Sequence, residues 1–348
     1  MTRNRQFLLL QHVVFPVTIL VMPTKLDVAD HSRKFGTFDL IYPVISRRSG
    51  GLSLGINLFP DTKRCSFDCP YCEVLPFEGT VSFSPGLLAE ELEEFLSGYE
   101  RGNGPFADAV LRDISISGNG EPTLSPWLDA AFDVVFSICR QRKVCQKADI
   151  VLITNSTGFL REDVALLLHK WQNANDLKIW AKLDAGTQAW FELLSGSRYN
   201  HASLCAAITN YAKTSQLTLQ TMLCGIKTKE TTFRNSSLPA ATSQTCGVLT
   251  TPLEPGDTEA VAYAECVNTM LSSGALIDKI DFYTVARPCV SDNVYALPAE
   301  KIAAFASRVY SLLVKDLALR GFDSRGQIDL GLEHCLDLSH RDGARVDG

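Results

Sequence analysis

The chain has no excess of positive charge, no unbroken apolar run long enough to span a bilayer, and no cysteine among its first 64 residues. With 33 Lys and Arg against 39 Asp and Glu, its formal net charge is −6, so nothing draws the whole molecule toward nucleic acid or an acidic membrane. A local basic path stays open, with Arg47, Arg48, Lys227, Lys229, Arg234 and Arg287 as its candidates. Residues 7–22 form an apolar run behind Arg3 and Arg5, but Gln11, His12, Pro16 and Thr18 interrupt it. The run falls short of the ~20 residues a span needs and ends in no small-x-small cleavage site, which predicts a cytoplasmic protein. Residues 1–37 read as an N-terminal extension; the first 21 are either a leader ahead of a start at Met22 or a strand docking on the domain.

Also lacking is a disulfide framework. The cysteines number eleven, and Cys139, Cys145, Cys205, Cys224, Cys246, Cys266, Cys289 and Cys335 are scattered. An odd count without regular spacing suits a reducing compartment, where most of these side chains act as small buried apolar groups. Cys139 and Cys145 invite a metal, but no third and fourth ligand cluster with them. Glu333, His334, Cys335 and His340, in a predicted surface tail over 320–348, fit no zinc spacing either.

The other three cysteines, Cys65, Cys69 and Cys72, lie within eight residues, Cys-Ser-Phe-Asp-Cys-Pro-Tyr-Cys. A loop this short lets three sulfurs converge on one metal centre. Structural zinc wants a fourth ligand at short spacing, yet the next cysteine is Cys139 and the next histidine His169. A cubane of four irons can take three cysteines and leave one iron open for a ligand, whereas electron-carrying ferredoxins usually supply a fourth thiolate. Tyr71, just before Cys72, would shield such a cluster from water. A buried or zinc-binding role for these cysteines remains the bland alternative.

Around this loop the hydrophobic pattern alternates between periods of 2 and 3.6. Leu52, Leu54, Ile56 and Leu58 alternate with Ser53, Gly55 and Asn57 as in a strand, which delivers the loop. Ser84-Pro85 then caps a helix in which Leu88, Leu92, Phe95, Leu96 and Tyr99 share a face. Further strands are predicted at 113–117, 149–154, 178–184, 217–224 and 279–285. Their helices begin at Ser125-Pro126, near Glu162, in a broken stretch reaching Ala212, at Asp257 and at Pro298. Six alternations imply a parallel α/β sheet with right-handed crossovers, too few units for an eight-stranded barrel. The core domain is predicted over 38–319. Its connection 225–256 reads as a long loop that either covers a substrate or is a tolerated insertion.

Ligands of such sheets sit at the carboxyl ends of the strands, where the cysteine loop lies. Directly after the second strand comes Gly118-Asn119-Gly120-Glu121-Pro122. Its glycines admit a ligand close to the backbone, and Glu121 with the peptide carbonyls can accept from an ammonium group; a tight turn with a capping acid would look the same. On the fourth strand Lys182 and Asp184 point the same way as Trp180. With Asn57, Asn155 and Gln220 they either line a polar cavity or form an ion pair that pins the sheet.

The CxxxCxxC spacing with an aromatic residue before the last cysteine resembles the signature of radical S-adenosylmethionine (SAM) enzymes. The resemblance implies a partial (βα)6 TIM-like barrel, a [4Fe-4S] cluster on Cys65, Cys69 and Cys72, and SAM on its open iron. It also implies a low-potential electron donor of flavodoxin or ferredoxin type. Residues 118–122 resemble the Gly-Gly-Glu-Pro motif that holds the methionyl amine, with Asn119 where a glycine is usual; Asn155, Lys182 and Asp184 resemble SAM-contacting positions. Blocks at Tyr42, Gly118, Lys182 and Tyr283 look like the iron-sulfur oxidoreductase group related to the wybutosine-pathway tRNA enzyme. That enzyme carries a second cluster on upstream cysteines, which residues 1–64 lack, so its tRNA reaction does not carry over. An RNA-modifying radical SAM enzyme and a non-catalytic iron-sulfur or zinc protein are the two rival readings.

Overall fold

A computed structural model describes residues 35–229 and 250–332. The readings made for residues 1–34, Arg234, Cys246, Glu333, His334, Cys335 and His340 lie outside the described residues, as does the Lys229 side chain. In chain order the elements are β1 (Ile41–Ser46), β2 (Gly51–Asn57), α1 (Pro85–Glu100), β3 (Leu111–Ser117), α2 (Leu128–Arg140), β4 (Asp149–Thr154) and α3 (Glu162–Asn175). There follow β5 (Lys178–Lys182), α4 (Gln188–Ser195), α5 (His201–Ala212), β6 (Leu217–Met222), β7 (Cys224–Lys229), β8 (Thr250–Leu253) and α6 (Asp257–Ser272). The last are β9 (Ile277–Tyr283), β10 (Val294–Ala296), α7 (Ala299–Leu312), β11 (Ala318–Phe322) and β12 (Gln327–Ile328).

The main sheet runs β1-β2-β3-β4-β5-β6-β9-β11-β12. From β2 to β11 every pairing is parallel, while β1 and β12 are antiparallel edges. All six predicted strands are present, and β11 adds a seventh parallel one. The sheet therefore takes in residues that the sequence reading assigned to a surface tail. Arg320 carries the reason: its guanidinium makes two 2.7 Å bonds to the buried Asp281, so a charged residue sits inside the sheet at modest cost. The 225–256 connection is not structureless at its ends, because β7 pairs with both β8 and β10 in a small antiparallel sheet.

Local chemistry explains the helices. Ser84 is extended and its hydroxyl accepts from Leu87 N at 3.1 Å, with Pro85 at the first helical position. Leu88, Leu92 and Leu96 are fully buried on the inner face of α1, each worth about 1.5–3 kcal/mol of transfer free energy. Ser125-Pro126 looks alike but does not start α2. Glu121 caps a one-turn 3₁₀ helix over Pro122–Leu124 instead, and α2 begins at Leu128.

Because the strands follow chain order, their crossovers place the helices on one face. On that face lie Leu54, Ile114, Leu152, Ile179, Leu219, Ile280 and Leu319, all at 2 % exposure or less. The other face curves into a partial barrel, since Ser53, Ser115, Ile153, Trp180, Met222, Tyr283 and Phe322, one from each parallel strand, line one cavity. Arg47, in the β1–β2 turn, donates to the Asp323 carbonyl beyond β11 and so links the two ends of the sheet.

One buried carboxylate is left incompletely bonded. Asp113 Oδ1 accepts from the Ser53 hydroxyl, but among the described residues no donor reaches Oδ2. Burial pushes its pKa up, against the Ser53 bond, the nearby Ser49 hydroxyl and the Arg48 charge. The folded protein thus holds this proton more tightly than the unfolded chain, and stability should fall as pH rises through the folded value. Asp113→Asn is expected to stabilise the protein at pH 7–8 by about 1–3 kcal/mol, the cost of an unsatisfied buried group. In denaturant melts the gain should vanish below the ordinary aspartate range, where Asp113 is protonated in both states.

Candidate active site

The cysteine loop is fastened to the carboxyl ends of the strands by backbone bonds. Arg64 N donates to the Asn119 carbonyl at 3.1 Å, and Glu121 N donates to the Arg64 carbonyl at 2.8 Å. Gly120 lies between them so closely that a Cβ there would stand 1.8 Å from the Arg64 oxygen. Further along, Asp68 N donates to Ser195 O at the end of α4 (2.8 Å), Val290 N to Cys72 O (2.7 Å) and Ser291 N to Pro70 O (3.2 Å). Cys65, Cys69 and Cys72 all face one cavity of about 290 Å³. Among its described lining residues there is no histidine and no fourth cysteine.

The donor set around these sulfurs favours thiolates bound to a cation. Phe67 N lies 3.5 Å from Cys65 Sγ, Val74 N 3.4 Å from Cys72 Sγ, and Asn155 Nδ2 3.6 Å from Cys65 Sγ. Without a positive partner two of the thiols are held protonated: burial pushes Cys65 up, and pushes Cys69 up to about 12 despite the neighbouring Lys182 ammonium. Among the described residues, the His and Cys side chains that close to within 4.8 Å of one another are His201, Cys205 and Cys266, not the loop cysteines. A single tetrahedral zinc would draw three sulfurs to about 3.8 Å, given Zn–S bonds of about 2.3 Å.

Beside Cys69 stands a polar trio. Lys182 Nζ is 2.7 Å from Tyr71 Oη, 3.3 Å from Asp184 Oδ2 and 4.4 Å from the Tyr71 ring centre. The Tyr71 hydroxyl donates to Asp184, whose other oxygen accepts from Met222 N at 2.8 Å. Burial works to lower the Lys182 pKa, but Asp184 with Tyr283 and Cys69 raises it overall, so Lys182 remains an ammonium. Burial likewise pushes the Tyr71 phenol well up, reinforced by Asp184. The two readings of Lys182 and Asp184 thus meet: they form an ion pair, and its cation faces the cavity.

Gly118, Gly120, Glu121, Asn155 and Lys182 line the cavity, while Asn119, Pro122 and Asp184 do not. The Asn119 amide turns away to the Phe59 carbonyl at 3.2 Å, and Pro122 is buried in the 3₁₀ turn. Glu121 is already engaged by protein donors: Thr123 N (3.2 Å), Thr123 Oγ1 (2.6 Å), Thr154 Oγ1 (2.6 Å) and Asn155 N (2.6 Å). Burial still raises its pKa against these bonds. Its carboxylate clamps the β3 and β4 loops together. Asn57 and Gln220 also lie off the cavity, Asn57 accepting from Phe59 N and Asn119 N at 3.1 Å each, and Gln220 donating to Asp281 at 2.8 Å.

The basic path is largely consumed by internal contacts. Arg48 donates to Gln220 and stacks on Trp180 and Tyr283, at 5.5 and 4.9 Å from their ring centres. Arg287 pairs with Glu73 at 2.6 Å, and Lys227 lies 5.8 Å from the Tyr295 ring centre. Trp180 and Tyr283 give the cavity its flat walls; Trp180 carried no sequence signal beyond strand periodicity, and Tyr283 only its place in a family-like block. Among the described residues no helix is long and apolar enough to cross a membrane.

No family model matches the chain. It is 27% identical over 148 residues to a UPF0026 protein of Helicobacter pylori, covering 41% of this chain and 44% of that one. It is 32% identical over 129 residues to a UPF0026 protein of Methanocaldococcus jannaschii, covering 35% of this chain and 34% of that one. The chain thus matches less than half the length of these relatives. Among solved structures it resembles a radical SAM methyltransferase from Sphaerobacter thermophilus, with a TM-score of 0.51 and 14% identity over 82% of this chain and 69% of that one. At that identity the likeness establishes the fold, the mixed α/β sheet of radical SAM enzymes.

The approach of Gly120 to Arg64 generates a test. Gly120→Ala should cost about 1–3 kcal/mol by overpacking, read as a lower midpoint in urea. Gly98→Ala in α1, where an added Cβ meets nothing within 4 Å, should raise the midpoint slightly.

Proposed function

We propose that the protein is a radical SAM enzyme, with Cys65, Cys69 and Cys72 holding three irons of a [4Fe-4S] cluster and SAM occupying the adjoining cavity. The observation that carries this reading is the set of three sulfurs on one cavity wall, supported by N–H donors and facing the backbone of Gly118 and Gly120. Cys65, Cys69 and Cys72 would hold a cluster that, when bound, would supply the single-electron chemistry for reductive SAM cleavage and hydrogen abstraction from a substrate.

The chain's own residues bind, orient and exclude water. Phe67 N–H and the Asn155 amide stabilise a Cys65 thiolate and Val74 N–H a Cys72 thiolate, and such donors would tune the reduction potential of a cluster held there. Lys182 sets a positive charge beside Cys69, kept there by Asp184 and Tyr71. The backbone of Gly118 and Gly120, which lines the cavity, would accept from the methionyl ammonium, while the Asn119 carbonyl is taken by Arg64 N. Glu121 is then a positioning residue, because its carboxylate is taken up in joining the two loops. Trp180, Tyr283 and Phe322 give the apolar walls that keep a reactive radical from water. The electron donor is a low-potential flavodoxin- or ferredoxin-type protein. Arg48 and Arg287, two candidates for a basic path, are committed within the fold, which weighs against a nucleic-acid substrate of the kind the wybutosine-related group takes.

One observation favours a second reading. Cys289 lies on the segment whose backbone bonds to Pro70 and Cys72, and as a fourth thiolate it would make the cluster an electron carrier. Its thiol instead contacts the Arg287 carbonyl at 3.6 Å and is absent from the cavity lining. Anaerobic reconstitution with iron and sulfide, followed by dithionite and SAM, separates the two. The enzyme reading expects four irons per chain and 5′-deoxyadenosine, abolished by Cys69→Ala and preserved in Cys289→Ala. A full iron complement without 5′-deoxyadenosine, or cluster loss in Cys289→Ala, would support the carrier.

A further inference from the structure

Behind the loop that follows β5 lies a second cluster of metal-capable side chains. His201 and Cys205 are one turn apart on α5, and Cys266 faces them from α6; their ligating atoms all lie within 4.8 Å of one another. We propose that these three residues form a Cys₂His site for Zn²⁺, completed by a water molecule, that fastens α5 to α6. The site is separate from the cysteine loop, and none of its residues lines the main cavity.

The donor set is what such an ion requires, and the Cys205 side chain or the His201 ring must turn to complete it, because Cys205 Sγ lies nearer Nε2 than Nδ1. With Zn–S near 2.3 Å and Zn–N near 2.05 Å, the tetrahedral edges are about 3.6 Å for N–S and about 3.8 Å for S–S. Cys205 Sγ stands 3.9 Å from His201 Nδ1 and 3.5 Å from Nε2. His201 Nε2 is 2.9 Å from the Ala185 carbonyl, which can only accept. Nε2 therefore carries the hydrogen, and Nδ1 keeps the lone pair that a metal needs. A ligating imidazole whose other nitrogen donates to a backbone carbonyl is the usual outer-shell arrangement of zinc sites. Cys266 Sγ, 3.5 Å from the Gly186 carbonyl, is held by the same loop.

The helices are already positioned without the ion. Gly186 presses on α6 so closely that a Cβ would lie 2.1 Å from Tyr263 N. From α6, Glu259 accepts from Gly186 N, from Thr187 N at 3.2 Å and from Thr187 Oγ1 at 2.7 Å. Two thiolates neutralise one dication, and two protons pass to solvent when it binds. His201 also shares a small internal space with Lys182 and Asp184, so loading this site would stiffen the loop behind that pair.

The test uses the full chain with its loop cysteines removed as competitors, Cys65→Ser/Cys69→Ser/Cys72→Ser, so that it stands or falls independently of the iron-sulfur reading. Reduced protein of this background is titrated with Co²⁺, and bound zinc is measured by elemental analysis. One equivalent of Co²⁺ with a thiolate-to-cobalt charge-transfer band and tetrahedral d–d bands is expected, and Zn²⁺ should displace it. Adding Cys266→Ser or Cys205→Ser should weaken binding by at least about 100-fold, with circular dichroism confirming the fold. A background protein that is folded and reduced but gives no charge-transfer band overturns the proposal. So does a band that survives both substitutions, or a resident Cys205–Cys266 disulfide.

Discussion

Two backbone hydrogen bonds, from Arg64 to Asn119 and from Glu121 to Arg64, are the fastening on which the candidate site depends. They extend the edge of the sheet by one bridge and set the first cysteine directly beyond it. Each bond is individually modest, about 0.5–1.5 kcal/mol net. Their effect is positional, because the loop leaves the strand ends in one direction only. The bridge requires glycine at 120, since any side chain would collide with the Arg64 carbonyl. Glu121 then ties the same segment to the start of the next loop through Thr154 and Asn155, and Asn155 reaches on to Cys65 and Ser66. One connected set of bonds thus runs from β3 through β4 to the sulfur.

Charge balance decides what this geometry is good for. The inner face of the sheet carries Lys182, Arg48 and Arg320, and each has an acceptor: Asp184, Gln220 and Asp281. Only Lys182 stands close to a loop sulfur, close enough to oppose the burial that raises Cys69. Arg47, Arg48 and Arg287 line the same cavity as Lys182, and each is bonded within the fold, to the Asp323 carbonyl, to Gln220 and to Glu73.

Parts of the molecule were legible because their causes are local. Alternation at 52–58 and the Ser84-Pro85 cap appear in the structure with boundaries shifted by a residue or two. Ser125-Pro126 shows the limit of such signals. The same dipeptide failed to open a helix because a carboxylate four residues upstream had already organised that turn. The strand at 318–322 was missed for a related reason: Ala-Leu-Arg-Gly-Phe reads as a poor strand until Asp281, distant in sequence, neutralises its arginine.

Spacing and periodicity alone determined the three-cysteine loop, the strand–helix alternation and the glycine-rich stretch after the second strand, because each follows from neighbours a few residues apart. Tertiary structure decided which of the candidate polar groups face the cavity. It turned Asn119, Asn57 and Gln220 into scaffold, spent Arg48 and Arg287 on internal partners, and brought His201 and Cys205 to Cys266 across two helices. A side chain's role depends on which partner satisfies its hydrogen bonds or charge. Most of those partners lie dozens to hundreds of residues away, where no sequence period reaches.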